Sequence, residues 1–154
     1  MIKVNVIVGN KNWIKFIRKP EAYLKRKINL LNKKKILFKK NVFFSLLLSN
    51  NSEIKKINKK FRNKDKATDV LSFPFYEKNE IKNLLKNNSE FYLGDIIVNL
   101  DKIANKANNK EEIKVKFDKL WIHGLTHLLG YKHRLNKDYL RMKKIEKKFY
   151  NLII

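Results

Sequence analysis

Apolar and polar positions along this chain follow two rhythms, one near two residues and one near 3.6, and the change from one to the other marks out its elements. Ile2–Val8 is β-branched and partly alternating, which predicts a strand. Pro20, well placed in a first helical turn, opens a predicted helix to about Asn29. Ile36–Phe38, flanked by Lys33–Lys35 and Lys39–Lys40, reads as a loop or the approach to a strand. Val42–Leu48 is a continuous apolar run, the pattern of a strand buried on both faces. Asn50-Asn51-Ser52 offers a helix cap, with Glu53 in the first turn, ahead of a basic helix to about Phe61. Thr68–Phe75 reads as a strand that Pro74 brings to an end. The polar, Asn/Lys-rich positions 77–90 predict a mobile loop or a short helix. Phe91–Val98 is a strand interrupted by Gly94, and Leu100–Asn109 has helical spacing. Glu111–Leu129 predicts a long helix. Its second half (Leu120, Trp121, Ile122, Leu125, Leu128) is apolar almost all round and therefore central and buried. Asn136 or Asp138 caps a last helix to about Tyr150.

Strands and helices interleave with no repeat and no linker. The expectation is an α+β fold, a single domain over residues 1–154, with a small mixed β-sheet packed with helices and the Glu111–Leu129 helix at its centre. A chain of 154 residues that is 44% hydrophobic can bury one sizeable core. The N-terminal MIKVNVIVGN is too short and too interrupted for a signal h-region, and no apolar stretch approaches the roughly 20 residues that span a bilayer. No membrane partner is expected. Cysteine is absent, so disulfides and thiolate zinc sites are excluded. That is compatible with a reducing cytosol, and a cytoplasmic location is expected.

Charge adds a partner class. Against 37 Lys and Arg stand 14 Asp and Glu, a net charge of +23. One reading is a polyanion partner, RNA or a ribosomal surface, with fast, salt-dependent encounter. The other is compositional. Lys far outnumbers Arg, and Lys, Asn, Ile and Phe all abound, as an AT-rich genome would produce in any protein.

The candidate chemistry sits in one place. All three histidines fall in eleven residues, His123-Gly124-Leu125-Thr126-His127-Leu128-Leu129-Gly130-Tyr131-Lys132-His133. A lone histidine on an apolar face is ordinarily a satisfied core or surface side chain. Here the i, i+4 pair places two imidazoles on one helix face, one turn apart. Gly130 then lets the chain leave the helix and return the third. Three nitrogens suit one zinc ion with an open fourth position, although nickel, copper or iron accept the same ligands. The pattern is HGxxH, not the HExxH of zinc proteases, so Gly124 replaces the peptidase general base. Lacking a Cβ, Gly124 is also expected to leave room beside the metal for a bulky group such as a phosphodiester.

These residues carry a resemblance. HGLTHLLGYKH resembles the HGxLHLxGYDH signature of the YbeY family. Residues 57–75, INKKFRNKDKATDVLSFPF, look like that family's LNxxYRxKDxPTDVLSFPF block, and Leu93–Val98 is similar to its LGDIxI block. The likeness runs from about residue 50 to 149. It implies a zinc-dependent, single-strand-specific endoribonuclease acting in ribosomal RNA maturation (16S 3′-end processing) and ribosome quality control. Its partners would be rRNA and ribosomal subunits rather than DNA. It implies that His123, His127 and His133 hold one Zn2+ and that Arg62 is the functional, catalytic arginine. By residue type Arg62 offers a permanently charged fork to a phosphate, or a structural pair to Asp65 or Asp69.

Three departures from the family pattern change the chemistry of their position. Thr126 replaces Leu and is expected to bond to the carbonyl one turn back. Ala67 replaces Pro and should loosen the approach to the strand. Lys132 replaces an Asp, which weakens the metal surroundings if that Asp orients a ligand and is neutral if the position faces solvent. Ser72 and Asp95 fall in the matching blocks without an assigned role. Lys64 and Lys66 are solvated or track RNA. Phe73 and Phe75 are expected in the core rather than as base platforms. Two alternatives remain beside the nuclease. One is a non-catalytic rRNA-binding ribosome assembly factor with a structural zinc, which calls for a fourth protein ligand. The other is a zinc hydrolase of another substrate class.

Overall fold

A computed structural model describes residues 1–34, 40–87 and 90–154. Strand β1 (Ile2–Val8) pairs in parallel with β2 (Asn41–Ser49), which pairs in parallel with β4 (Glu90–Asn99); β3 (Val70–Pro74) closes the other edge antiparallel to β4. The sheet order is β1-β2-β4-β3, and seven helices accompany it among the described residues: α1 (Trp13–Phe16), α2 (Pro20–Lys33), α3 (Asn51–Arg62), α4 (Lys78–Asn87), α5 (Leu100–Ala104), α6 (Lys110–Leu128) and α7 (Asn136–Ile153). This is the mixed α+β arrangement that the interleaved patterns predict. No helix among the described residues is long and apolar enough to cross a membrane.

The two faces of the sheet are covered unequally. Val42, Phe44, Leu46 and Leu48 of β2 join Ile96 and Val98 of β4 in the main core with Leu24, Phe117, Trp121 and Leu125 from α2 and α6. On the opposite face, α3 covers Leu71 and Ile97 with Ile54 and Ile57. Strand β2 is therefore not buried on both sides. Its alternate residues Phe43, Ser45 and Leu47 are only half-buried, because α3 is short and roofs only part of that face.

Helix α6 is the centre of the main core, as its apolar second half predicts. Phe117, Trp121, Leu125 and Leu128, three to four residues apart, are fully buried. Its one buried carboxylate, Asp118, accepts from the Tyr23 hydroxyl at 2.9 Å and the Trp121 indole at 2.9 Å, and pairs with Lys27 at 3.2 Å. Three donors offset the desolvation of that charge. They also tie α2 to α6.

The caps are local and legible. The Asn50 side chain accepts from the Glu53 amide at 3.0 Å to start α3, and Asn109 accepts from Glu112 at 2.9 Å to start α6. That second cap explains why the segment Leu100–Asn109 is not one helix. Asn99 caps the short α5, and the chain must turn before Asn109 can open α6. Of the two readings for positions 77–90, the short helix is the one formed, as α4. Three other expectations move: α7 continues to Ile153, β3 spans Val70–Pro74 only, and the unexpected α1 seats Trp13, whose indole donates to the Ser49 carbonyl at 2.9 Å. The segment Ile36–Phe38 lies outside the described residues. At Gly94, φ is +138° and a Cβ would lie 2.1 Å from the Phe73 carbonyl, so only glycine lets β3 and β4 meet there.

Gly124 corrects an expectation. A Cβ at this position would meet Ile96 Cγ2 of β4 at 2.7 Å. The missing side chain lets α6 settle onto the sheet; it does not open space beside the histidines. Gly124→Ala gains up to about 1 kcal/mol of helix propensity but overpacks Ile96 at a cost of about 1–3 kcal/mol. The expected net loss is about 1 kcal/mol, a fall in Tm of about 2–4 °C. Thermal unfolding measures it, and an unchanged or higher Tm would mean that helix and sheet separate freely here.

Candidate metal centre

The three histidines converge. His123 and His127 project one turn apart from the half-buried side of α6, and His133 approaches from the exposed loop beyond it. Ring centroids lie 4.6 Å apart for His123–His127, 4.9 Å for His127–His133 and 5.8 Å for His123–His133. One ligand atom from each ring lies within 4.8 Å of the others, and this three-member group is what could hold a metal ion.

The backbone that brings His133 round is set by the end of α6. Gly130, at φ +87°, donates to the His127 carbonyl at 2.9 Å, and Tyr131 donates to Thr126 at 3.2 Å. These two bonds are a Schellman turn, with glycine at the left-handed position. The turn also carries the Tyr131 carbonyl to 2.9 Å from His127 Nδ1. A carbonyl only accepts, so Nδ1 carries the proton and Nε2 keeps its lone pair. At His123 the same is done by a carboxylate, with Nδ1 lying 2.7 Å from Glu146 Oε1 of α7. The two Nε2 atoms then face each other at 3.2 Å. Two acceptor lone pairs at that distance repel unless a cation lies between them. Zn–N bonds of about 2.0–2.1 Å in a tetrahedron set nitrogens about 3.3 Å apart, so this pair is spaced for such an ion, with His133 near enough to be a third ligand.

Burial lowers the His127 imidazole to about 4, with His123 beside it adding to the effect. The ring is therefore neutral, and able to ligate, far below neutral pH. Thr126 is fully buried and donates to the His123 carbonyl at 2.7 Å, the expected bond one turn back. Lys132 is exposed and pairs with Glu77 at 2.8 Å. The orienting contacts on the ligand rings come from Glu146 and Tyr131 instead, so lysine at 132 removes neither of them.

A cleft of about 500 Å³ opens at the histidines, and Arg62, Asp69, Ser72 and Arg134 line it with them. Arg62 ends α3. Its guanidinium donates to the Ser72 carbonyl at 2.9 Å and lies 5.4 Å from the Phe73 ring. Among the described residues it forms no ion pair with Asp65 or Asp69; Asp65 pairs with Lys55 and Lys59. Arg62 and all three histidines, each singled out by the sequence, line one cleft. Asp95 is elsewhere, bonded to the Tyr92 hydroxyl at 2.7 Å. Lys64 and Lys66 are exposed and are not among the cleft's lining residues. Phe73 is half-buried, but Phe75 is 56% exposed rather than in the core, its ring set against Tyr92. Glu146 and Arg134 escaped the sequence reading. Arg134 adjoins His133 and adjacency was its only signal, whereas Glu146 is one acid in a lysine-rich helix with none.

The family described as Endoribonuclease YbeY matches residues 9–153. The chain is 41% identical to the Endoribonuclease YbeY of Pelagibacter ubique, covering 99% of this chain and 97% of that one. It is 34% identical to the protein of the same name from Ehrlichia canis, covering 95% and 88%. It is similar in fold to the solution structure of TM1509 from Thermotoga maritima, with a TM-score of 0.60 and 26% identity over 99% of this chain and 89% of that one.

His127→Ala leaves two imidazoles and should abolish stoichiometric metal in purified protein, whereas Glu146→Gln should retain metal with affinity weaker by about 10–100-fold. Elemental analysis and competition with a chelator read the two effects, and a full equivalent of metal in His127→Ala would rule out this site. The pH dependence has a definite sign. The unfolded chain protonates His127 near 6.5 and the folded one only near 4, so metal-free protein loses stability as pH falls through that window. His127→Gln should flatten this loss, as measured by metal-free melting curves at pH 7 and 4.5.

Proposed function

The chain belongs to the YbeY family of endoribonucleases, and on that premise we propose that His123, His127 and His133 carry a single zinc ion at which single-stranded RNA is cut. The observation that carries this reading is the pair of Nε2 lone pairs aimed at one point on the floor of a cleft that also presents Arg62. The proposed substrate is ribosomal RNA, in maturation of the 16S 3′ end and in ribosome quality control, which places the protein in the cytoplasm with ribosomal subunits as partners.

Held by His123, His127 and His133, a zinc ion would supply Lewis acidity toward a phosphate oxygen and would acidify a water. The protein's own residues do the rest. Glu146 and the Tyr131 carbonyl hold two imidazoles in the ligating tautomer. Arg62, braced by one donated bond to Ser72, keeps its other N–H groups for a phosphate and stabilises charge that grows on it. It is the residue proposed as catalytic. The buried face of α6 and the sheet beneath it keep solvent from one side of the site.

A ribosome assembly factor with structural zinc would call for a fourth protein ligand. Among the described residues the group has three members, and the cleft lies on its open side. A zinc peptidase would need a carboxylate at position 124, where even a Cβ collides with Ile96.

Arg62→Ala should keep full metal content and lose about 10²–10³-fold in RNA cleavage. A chelator should abolish cleavage by the wild type, and added zinc should restore it. Both are read on ribosomal RNA at nucleotide resolution. Undiminished cleavage by Arg62→Ala overturns the role of that residue, and cleavage indifferent to chelator overturns the metal reading.

A further inference from the structure

A second groove, of about 530 Å³, runs between β3, α6 and α7 and is lined by Lys119, Lys143, Lys147 and Tyr150. We infer that this groove is a substrate subsite that holds the stretch of single-stranded RNA next to the bond being cut. The inference rests on the endoribonuclease reading above and extends it to the path of the strand.

Continuity is the first ground. His123, Asp69 and Val70 line both the groove and the metal cleft, so a strand with one phosphodiester at the imidazoles has this groove as its neighbour. Helix periodicity is the second. Lys119 and His123 are one turn apart on α6, and Lys143, Lys147 and Tyr150 share a face of α7 at i, i+4 and i+7. The α7 row spans about 10 Å, long enough to follow a backbone rather than a single anion.

The pairing of charges is the third ground. Lys114 and Lys116, nearer the start of α6, are each in an ion pair with Glu111 or Glu112. Among the described residues Lys119, Lys143 and Lys147 are in none; Lys119 lies over the Tyr150 ring at 5.6 Å and Lys143 over Tyr139 at 5.5 Å. Of the two carboxylates that line the groove, Glu146 is turned to His123 and Asp69 belongs to the junction with the cleft. Ammonium groups without acidic partners, beside a half-buried ring and the apolar side chains of Val70 and Leu120, match phosphates alternating with flat bases. A ring can stack only on an unpaired base, so the subsite selects single strands. The volume falls in the usual range of about 300–1,000 Å³ for ligand pockets and suits a nucleotide or two.

The test compares Lys119→Gln/Lys143→Gln/Lys147→Gln with Lys11→Gln/Lys15→Gln/Lys19→Gln, which removes the same charge from exposed positions outside both clefts. With zinc-loaded protein, kcat/KM on single-stranded RNA oligonucleotides is measured against salt concentration and against oligonucleotide length on each side of the cut. Each phosphate contact on a single strand contributes about 0.7 to the slope of log affinity against log salt, so the groove variant should lose about 2 from that slope. It should also lose about tenfold or more in kcat/KM on long oligonucleotides, chiefly in KM, and lose the advantage of length on one side of the cut. Equal effects of the two triple variants, or a length advantage kept by the groove variant, overturn the inference while leaving the nuclease intact. A groove variant that cleaves RNA normally but no longer binds an acidic peptide overturns it in favour of a protein partner. A wild-type protein that cuts no RNA overturns the endoribonuclease reading and the subsite together.

Discussion

Everything at the candidate site depends on how closely helix α6 lies against strand β4. The contact is made where Gly124 meets Ile96, with no side chain between helix backbone and sheet. Because Phe117, Trp121, Leu125 and Leu128 anchor the same helix in the core, its rotation about its own axis is fixed. That rotation decides where His123 and His127 point. A helix held this firmly on one side presents its other side with little freedom, which is what a pair of metal ligands requires. The glycine thus acts on the chemistry through packing on Ile96, about a quarter-turn round the helix from the imidazoles.

Around that helix the polar contacts divide into two kinds. Those at Asp118, Asn50 and Asn109 satisfy buried or terminal groups and fix the elements relative to one another. Those at Glu146 and Tyr131 act on the histidine rings and set which nitrogen is free. The second kind comes from outside α6, one from α7 and one from the turn after the helix. The geometry offered to a metal ion is therefore a property of the docked helices rather than of the signature alone.

The sequence made much of this legible, and the failures have physical reasons. Strands β1, β2 and β4 and helices α2, α3 and α6 declare themselves through period and caps, because those signals are local. The end of α5 at Ala104 was not legible, because the helical spacing that begins at Leu100 runs on to Asn109. The half-covered face of β2 could not be read from an apolar run, since it depends on the length of a helix elsewhere in the chain. At the site, the three histidines and Arg62 could be named because they sit in compact motifs. Glu146 could not, because its role is created by the packing of α7 against α6, 23 residues from His123 in sequence. Gly124 was singled out correctly but turned to the wrong side, since sequence spacing gives a helix face without saying what lies against it.

The three histidines are unequal in their attachment. Two ride on a helix pinned to the sheet, while the third stands on an exposed loop just past a Schellman turn. Ion exchange would then begin by detaching His133, leaving the other two as a bidentate perch. The turn restrains how far the loop can recoil, which keeps the released imidazole within easy recapture. An ion held there would leave in steps rather than all at once, past a turn whose glycine never touches it.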